Sequence, residues 1–175
     1  MECKMFRTGD DVVSSSNGIC KITDVVEMDL SNTHVMKSYF LLEPITGNHA
    51  KVYIPLETAE RRVRKAMEKK DAIRMIQEIE NVDTLVIEDE KVRERRYKEV
   101  IQSNDPVGEV SLLKHLYDRR QERFAQGKKT TAVDDKYFKL AAHNLHAELA
   151  YALDCKEEEI PGIIQNYVKN KTLEI

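Results

Sequence analysis

The chain has 175 residues, enough for one ordinary domain or two small ones. Apolar residues make up 41% of it and charged residues 34%, a composition typical of soluble globular proteins. No apolar run approaches the roughly 20 residues of a membrane helix, and the N-terminus lacks the apolar segment of a signal peptide. We therefore expect a cytoplasmic protein. The three scattered cysteines, without CxxC spacing, argue against a disulfide framework or a zinc site.

The net charge of −3 argues at first against nucleic acid, but the charge is unevenly distributed. Residues 1–57 hold five basic and eight acidic side chains. Residues 61–74 hold seven basic against two acidic side chains, and residues 113–129 hold six against two. Such clusters are compatible with phosphate binding, although charge alone favours a solvated helix face.

The first third of the sequence predicts β structure. Val12-Val13 precedes a turn with Asn17-Gly18 at its tip, a pair that closes hairpins. Residues 19–26 alternate, and apolar runs follow at 39–42 and 51–54, separated by a turn signal at 44–48. Short strands at this spacing predict a small antiparallel barrel or sandwich.

After Pro55 the apolar period becomes helical, while residues 61–66 fit either a last strand or an irregular connector. Asp105-Pro106 is a helix start, Gly127 a helix end, and Thr131 to Asp134 resembles a capping box. The fold class is therefore α+β, with a β domain at 1–60 and an all-α domain of four to five helices at 61–175. Predicted helices cover about residues 69–80, 88–102 and 156–170; a further one starts at Asp105-Pro106 and ends at Gly127, and another is opened by Thr131 and carries residues as far as Leu153.

Apolar spacing predicts the buried side of each long helix. On the 88–102 helix Arg95 and Lys98 lie opposite the apolar arc, free to meet phosphates, and Arg119 and Arg123 oppose the next seam in the same way. The alternative is that these arginines pair with local glutamates, for example Arg119 with Glu122. The predicted stripes are Val92, Tyr97, Val100 and Ile101; Val110, Leu113, Tyr117 and Phe124; and Phe138, Ala142, Leu145, Leu149 and Leu153.

Catalytic constellations are absent from the sequence, which contains no GxxxxGK[ST], GxGxxG or GxSxG motif. His143 and His146 lie three residues apart with Glu148 nearby, but a metal site needs further convergent ligands. We interpret both histidines as solvated surface residues. The sequence thus predicts a protein that is not an enzyme and has no cofactor, no metal and no catalytic residue.

A set of segments in both halves carries a family resemblance through its order and spacing. The segments are residues 5–13, 17–22, 39–44, 52–55, 93–98, 118–123, 127–129 and 147–150. Together they resemble the CarD family of bacterial transcription regulators, whose first domain is related to the polymerase-interacting domain of transcription-repair coupling factors.

The resemblance implies a Tudor-like, SH3-like β-barrel that docks on the RNA polymerase β subunit by pairing strand edges. It also implies a helical domain that contacts promoter DNA at the upstream edge of the bubble, without sequence specificity, and modulates open-complex stability. No membrane contact is expected, and the free protein is expected to be a monomer. The alternative is a protein adaptor bound to polymerase whose helical domain does not contact DNA; salt dependence would separate the two.

Candidate binding residues follow from this resemblance. The chain lacks the tryptophan that many relatives carry four residues before the equivalent of Tyr97, where Arg93 stands. Relatives often have arginines at the positions of Met28 and Tyr53, and Lys51 is a nearby substitute. The polymerase-binding candidates are Met28, Lys51 and Tyr53, and the DNA-binding candidates are Arg93, Arg95, Arg96, Lys98, Arg119 and Arg123.

Overall fold

A computed structural model describes residues 6–29, 35–45 and 50–171 of the chain. It divides between Ala66 and Met67 into two compact units, the first built around a β-sheet and the second of helices. The predicted α+β class is confirmed. The assignment of polymerase binding to residues 1–60 and DNA contact to 61–175 stays a prediction, and most of the predicted turn at 44–48 lies outside the described residues.

The first unit contains a five-stranded antiparallel sheet in the order β4-β3-β2-β1-β5. The predicted hairpin at Asn17-Gly18 is confirmed: Gly18 has a φ of +66°, and the Asn17 amide donates to the Ser14 carbonyl over 3.2 Å. The strands are β1 (Asp11–Ser14), β2 (Gly18–Met28), β3 (Lys37–Pro44), β4 (Val52–Pro55) and β5 (Val63–Lys65).

The segment that the sequence left open, residues 61–66, contributes strand β5, which follows the one-turn helix α1 (Ala59–Arg62). Within the described residues β4 and β5 are the two edges and do not pair, so the sheet is open there, and the closed barrel is not confirmed. One face of the sheet packs a core in which the rings of Phe6 and Phe40 meet edge to face, with centroids 6.4 Å apart. The core comprises Phe6, Val12, Cys20, Ile22, Phe40, Leu42, Ile54, Ala59 and Val63.

The second unit holds five α-helices among its described residues, in agreement with the predicted number. Short 3-10 turns, Glu90–Val92 and Glu157–Glu159, lead into the third and sixth helices of the chain, where the sequence had predicted regular helix. The helices are α2 (Lys69–Glu78), α3 (Arg93–Ser103), α4 (Pro106–Ala125), α5 (Ala132–Leu153) and α6 (Ile160–Asn170).

Local capping fixes the ends of the long helices. The Asp105 carboxylate accepts hydrogen bonds from the amides of Val107 and Gly108, both over 3.1 Å, at the start of α4. The Thr131 hydroxyl accepts from the Asp134 amide at the start of α5. Gly127, with a φ of +69°, follows the end of α4 as predicted.

The predicted seam of α4 is wrong in its second half. Val110 is buried, but Tyr117 and Phe124 are 56% and 49% exposed. Leu112 and Leu116 are buried instead, because this part of α4 packs on the cluster around α3 and the start of α5. Helix α4 therefore packs residues from two of its sides into two different apolar clusters, and a single predicted stripe cannot describe both.

The stripe predicted for α5 is correct over its second half only. Phe138 and Ala142 are half-buried, and their neighbours Tyr137 and Ala141 take the buried positions in the cluster shared with α3 and α4. The confirmed core positions are Leu145, Leu149 and Leu153, which pack in the other cluster together with residues of α2 and α6.

The cap of α4 generates a stability prediction. Asp105→Ala should lower the free energy of unfolding by about 1 kcal/mol, because two amides of the first turn lose their acceptor. Asp118→Ala, in the exposed middle of the same helix, should stay within about 0.5 kcal/mol of wild type. Urea unfolding of both variants measures the difference, and equal stabilities would contradict the capping role.

Candidate functional site

Strand β4 forms one edge of the sheet and offers a backbone surface for strand addition. It pairs with β3 from Val52 to Pro55, and among the described residues no strand lies on its other side. Backbone groups on such an edge are available to a partner strand. Pro55 has no amide hydrogen and so limits the bonds that the C-terminal end of β4 can donate.

The three candidate polymerase-binding residues lie on or beside this part of the sheet. Tyr53 pairs with Leu41, and Met28 pairs with Lys37. Because the two partners are four residues apart on β3, Met28 and Tyr53 share one face and lie about 13 Å apart along the strands. Lys51 immediately precedes β4 and is exposed, whereas Met28 and Tyr53 are half-buried.

Helix α3 presents three of the candidate DNA-binding residues to solvent. Arg95, Arg96 and Lys98 are exposed, while Tyr97, on the opposite side, is fully buried. The Arg95 Nε lies 3.6 Å from Glu99, and the Arg96 Nη1 donates to the same carboxylate over 2.8 Å. Lys98 has no ion-pair partner among the described residues, so this surface keeps a positive excess.

Arg93 and Arg119 occupy a different environment, because they converge on the acids Asp134 and Glu90. The Arg119 Nε donates to Asp134 over 3.0 Å, and its two terminal nitrogens donate to Glu90 over 2.6 and 2.9 Å. The Arg93 Nε is buried 3.3 Å from Asp134, an ion pair without hydrogen-bond geometry, and its Nη1 contacts Glu90. Only 15% of the Arg93 side chain and 18% of the Arg119 side chain are exposed.

Asp134 is the centre of this network and is 6% exposed in its side chain. Burial alone would raise the pKa of Asp134, but hydrogen bonds from Thr131 and Arg119, with the charge of Arg93, outweigh it and hold the pKa below its usual value. The Tyr97 hydroxyl donates to Asp134 over 3.3 Å, and burial is the main cause of that tyrosine's raised pKa. The carboxylate therefore stays ionised at neutral pH, with Arg93, Arg119 and Tyr97 as side-chain partners.

Arg123 also makes an internal contact. It is half-buried, and its Nε donates to the Lys129 carbonyl over 2.8 Å, which ties the end of α4 to the following loop. The structure thus separates the six candidate cations into an outward set on α3 (Arg95, Arg96, Lys98) and an inward set (Arg93, Arg119, Arg123). The local pairing considered for Arg119 is replaced by pairing with acids on other segments.

The comparison with protein families bears on the first unit. Residues 6–67 match the family model described as CarD-like/TRCF RID domain, a span that covers all five strands. Residues 6–67 are therefore a domain of the CarD-like/TRCF RID type. No curated protein matches the chain. The matched domain suggests interaction with RNA polymerase, and its family is not an enzyme family.

The histidine pair of the second unit has a structural environment of its own. His143 is exposed, with its Nδ1 2.8 Å from the Glu157 carboxylate, but His146 is half-buried rather than a surface residue, and burial lowers its pKa. Glu148 is 2% exposed and accepts a hydrogen bond from the Met67 amide. Within the described ranges, no group of three or more potential metal ligands comes together.

No helix in the described part of the chain is both long and apolar enough to cross a membrane.

The two acids that organise Arg93 and Arg119 were not predicted from the sequence. Glu90 and Asp134 are 44 residues apart in the chain, and no spacing rule connects them. The signal that existed was the capping position of Asp134, whereas helical spacing placed Arg119 opposite the predicted seam.

The network generates a prediction on stability. Asp134→Asn should lower the free energy of unfolding by about 3 kcal/mol at neutral pH, because two poorly solvated guanidinium groups lose their counter-charge. Asp83→Asn, an exposed acid of the same unit, should change it by less than about 0.5 kcal/mol. Chemical denaturation of both variants measures the two effects.

The pH dependence of the free energy of unfolding should reflect the depressed pKa of Asp134. Because the folded-state pKa of Asp134 is depressed, its contribution is present above the unfolded value of about 3.9 and is lost as the pH falls through the folded value. Asp134→Asn should therefore lose less stability than wild type on acidification. An unchanged difference between the two proteins from neutral pH to about pH 2 would contradict this assignment.

Proposed function

We propose that this CarD-like protein regulates transcription by docking its first unit on the RNA polymerase β subunit and contacting promoter DNA with its second unit. The observation that carries the proposal is the family match over residues 6–67, which coincides with a sheet that has an available edge. The proposal includes a Tudor-like fold for the first unit.

Docking is proposed to occur by addition of a polymerase strand to β4. Main-chain hydrogen bonds would supply affinity, and neighbouring side chains would select the partner. Lys51 would place a positive charge at the start of the edge, and Tyr53 would add a polar aromatic contact within it. Met28 lies further along the same face and would meet the partner only if the contact extends beyond the strand itself.

DNA contact is proposed for the outward face of α3. Arg95, Arg96 and Lys98 are exposed and would bind phosphates without reading the sequence. No tryptophan is available to wedge between base steps, and Arg93 is held by two acids. The contact would therefore be electrostatic and would stabilise the upstream edge of the open complex through charge rather than unstacking.

The adaptor alternative receives support from the inward arginines. Arg93 and Arg119 are neutralised by Glu90 and Asp134, so they contribute less positive potential than the sequence suggests. In that case the second unit would bind another protein while the first unit holds polymerase. Phosphate contacts release counterions, so a steep loss of DNA affinity with salt would separate DNA contact from the adaptor function.

Tyr53→Glu should weaken binding to the isolated polymerase β subunit, because it places a negative charge on the edge strand. Ser16→Glu, in the exposed β1–β2 turn, provides a control with the same new charge. Pull-down of β by the full chain measures docking, and thermal melting of both variants separates weakened docking from unfolding. Equal retention of β by two folded variants would contradict docking through β4.

Arg95→Glu with Lys98→Glu should spare polymerase binding and shorten the half-life of open promoter complexes, because two phosphate-facing charges are reversed. Lys139→Glu with Lys169→Glu changes the net charge equally at two other exposed positions of the second unit. Half-lives are compared on one promoter at saturating protein. An unchanged half-life with intact docking would remove the DNA contact on α3 and favour the adaptor.

A further inference from the structure

The segment from Thr58 to Ala66, which contains α1 and β5, carries a concentrated positive charge. It holds four basic side chains and one acidic side chain, whereas the preceding residues 1–57 hold five basic and eight acidic ones. The first unit therefore has a net negative body with one strongly positive segment. Neither the proposed edge at β4 nor the proposed face of α3 uses this charge.

Three of the four cations in the segment are uncompensated. Arg61, Arg62 and Lys65 are exposed, and none has an ion pair or a side-chain hydrogen bond with any described residue. Arg64 differs, since it is half-buried and its Nη1 lies 3.3 Å from the Lys65 carbonyl, to which it donates. We define the α1–β5 surface by Arg61, Arg62 and Lys65.

Three other basic side chains of the same unit have acidic partners. Lys21 pairs with Asp11 and Lys37 with Glu57, each over 2.7 Å, and Arg7 lies 4.0 Å from Asp10. The unit thus compensates these positive charges within the fold but leaves the α1–β5 surface without counter-charge among the described residues. Positive charge concentrated in this way is complementary to a polyanion.

The fold holds these cations in place. Ala59 and Val63 are buried in the first core, at 0% and 4% exposure, and they anchor the first residues of α1 and β5. Arg61 and Arg62 lie on α1, between Ala59 and Val63. Lys65 lies on the edge strand β5, where it pairs with Val12 of β1. The cations therefore stand on an ordered backbone attached to the core.

Two alternative explanations, protection of the sheet edge and binding of an acidic protein, do not fully account for the positive charge of this segment. Charged side chains protect edge strands from unwanted pairing, which explains Lys65 but not the two arginines on α1. An acidic protein partner would also match the charge, but protein interfaces depend on apolar and aromatic anchors. The segment 58–66 contains no large exposed apolar side chain, a composition closer to the polar, positive surfaces that bind DNA.

We propose that the α1–β5 surface binds backbone phosphates of duplex DNA without sequence preference. The inference rests on the proposed function, in which promoter DNA is a partner, and adds a DNA contact from the first unit. Polymerase docking would then bring this unit to the DNA as well, and a contact that is weak in the free protein would be occupied at high local DNA concentration.

The test compares two triple variants of the full chain that change the net charge equally. Arg61→Ala, Arg62→Ala and Lys65→Ala remove the α1–β5 surface, and Arg7→Ala, Lys21→Ala and Lys37→Ala remove paired cations of the same unit. Fluorescence anisotropy with a short labelled duplex, over a series of salt concentrations, measures affinity and its salt dependence. Thermal melting verifies that each variant is folded.

The first variant should bind the duplex more weakly, and the slope of log affinity against log salt should shrink by about 2 to 3, roughly 0.9 for each phosphate that is no longer bound. The second variant should keep the wild-type slope. An unchanged slope in the first variant, or an equal reduction in both, would overturn the proposal. So would a loss of polymerase binding with unchanged DNA binding, which would identify an acidic protein partner instead.

The same assay separates this inference from the contact proposed for α3. Arg95→Glu with Lys98→Glu is measured beside the two triple variants. If only the α3 variant loses DNA affinity, the α1–β5 surface fails and the α3 contact stands. If only the α1–β5 variant loses affinity, the proposed α3 contact fails and the inference stands.

Discussion

The packing of helices in the second unit depends on the ion pairs of the buried Asp134 carboxylate. This carboxylate lies in the first turn of α5 and binds Arg93 of α3 and Arg119 of α4, so one group connects three helices. An ion in this position is favourable only when its partners supply charge and hydrogen bonds together. Glu90 binds the same two arginines from the more exposed side and completes the arrangement.

This use of arginine has a functional consequence. A guanidinium group that is committed to an internal carboxylate is held in one orientation and is largely compensated, so it adds little to the external field. The cations that matter for a polyanionic partner are those that the fold does not consume. In this protein they include Lys98 on the outward side of α3 and the α1–β5 surface, two places that the total charge of −3 does not reveal.

Features that depend on neighbouring residues along the chain were predictable. The Asn17-Gly18 hairpin and the Asp105 and Thr131 caps follow from backbone preferences that act over two to four residues, and the structure contains all three. The exposure of Tyr117 was not predictable, because it depends on which helices cover α4. The same holds for the ion-pair network, since its members meet only after α3, α4 and α5 have packed.

The short length of β4 bears on how long a partner strand would stay bound. A strand of four residues is only about 13 Å long, and its last residue, Pro55, donates no amide hydrogen bond. A partner strand added there would gain few backbone hydrogen bonds, each worth about 1 kcal/mol net. A complex held by so few backbone bonds would dissociate readily, as is expected of a transient rather than a permanent contact.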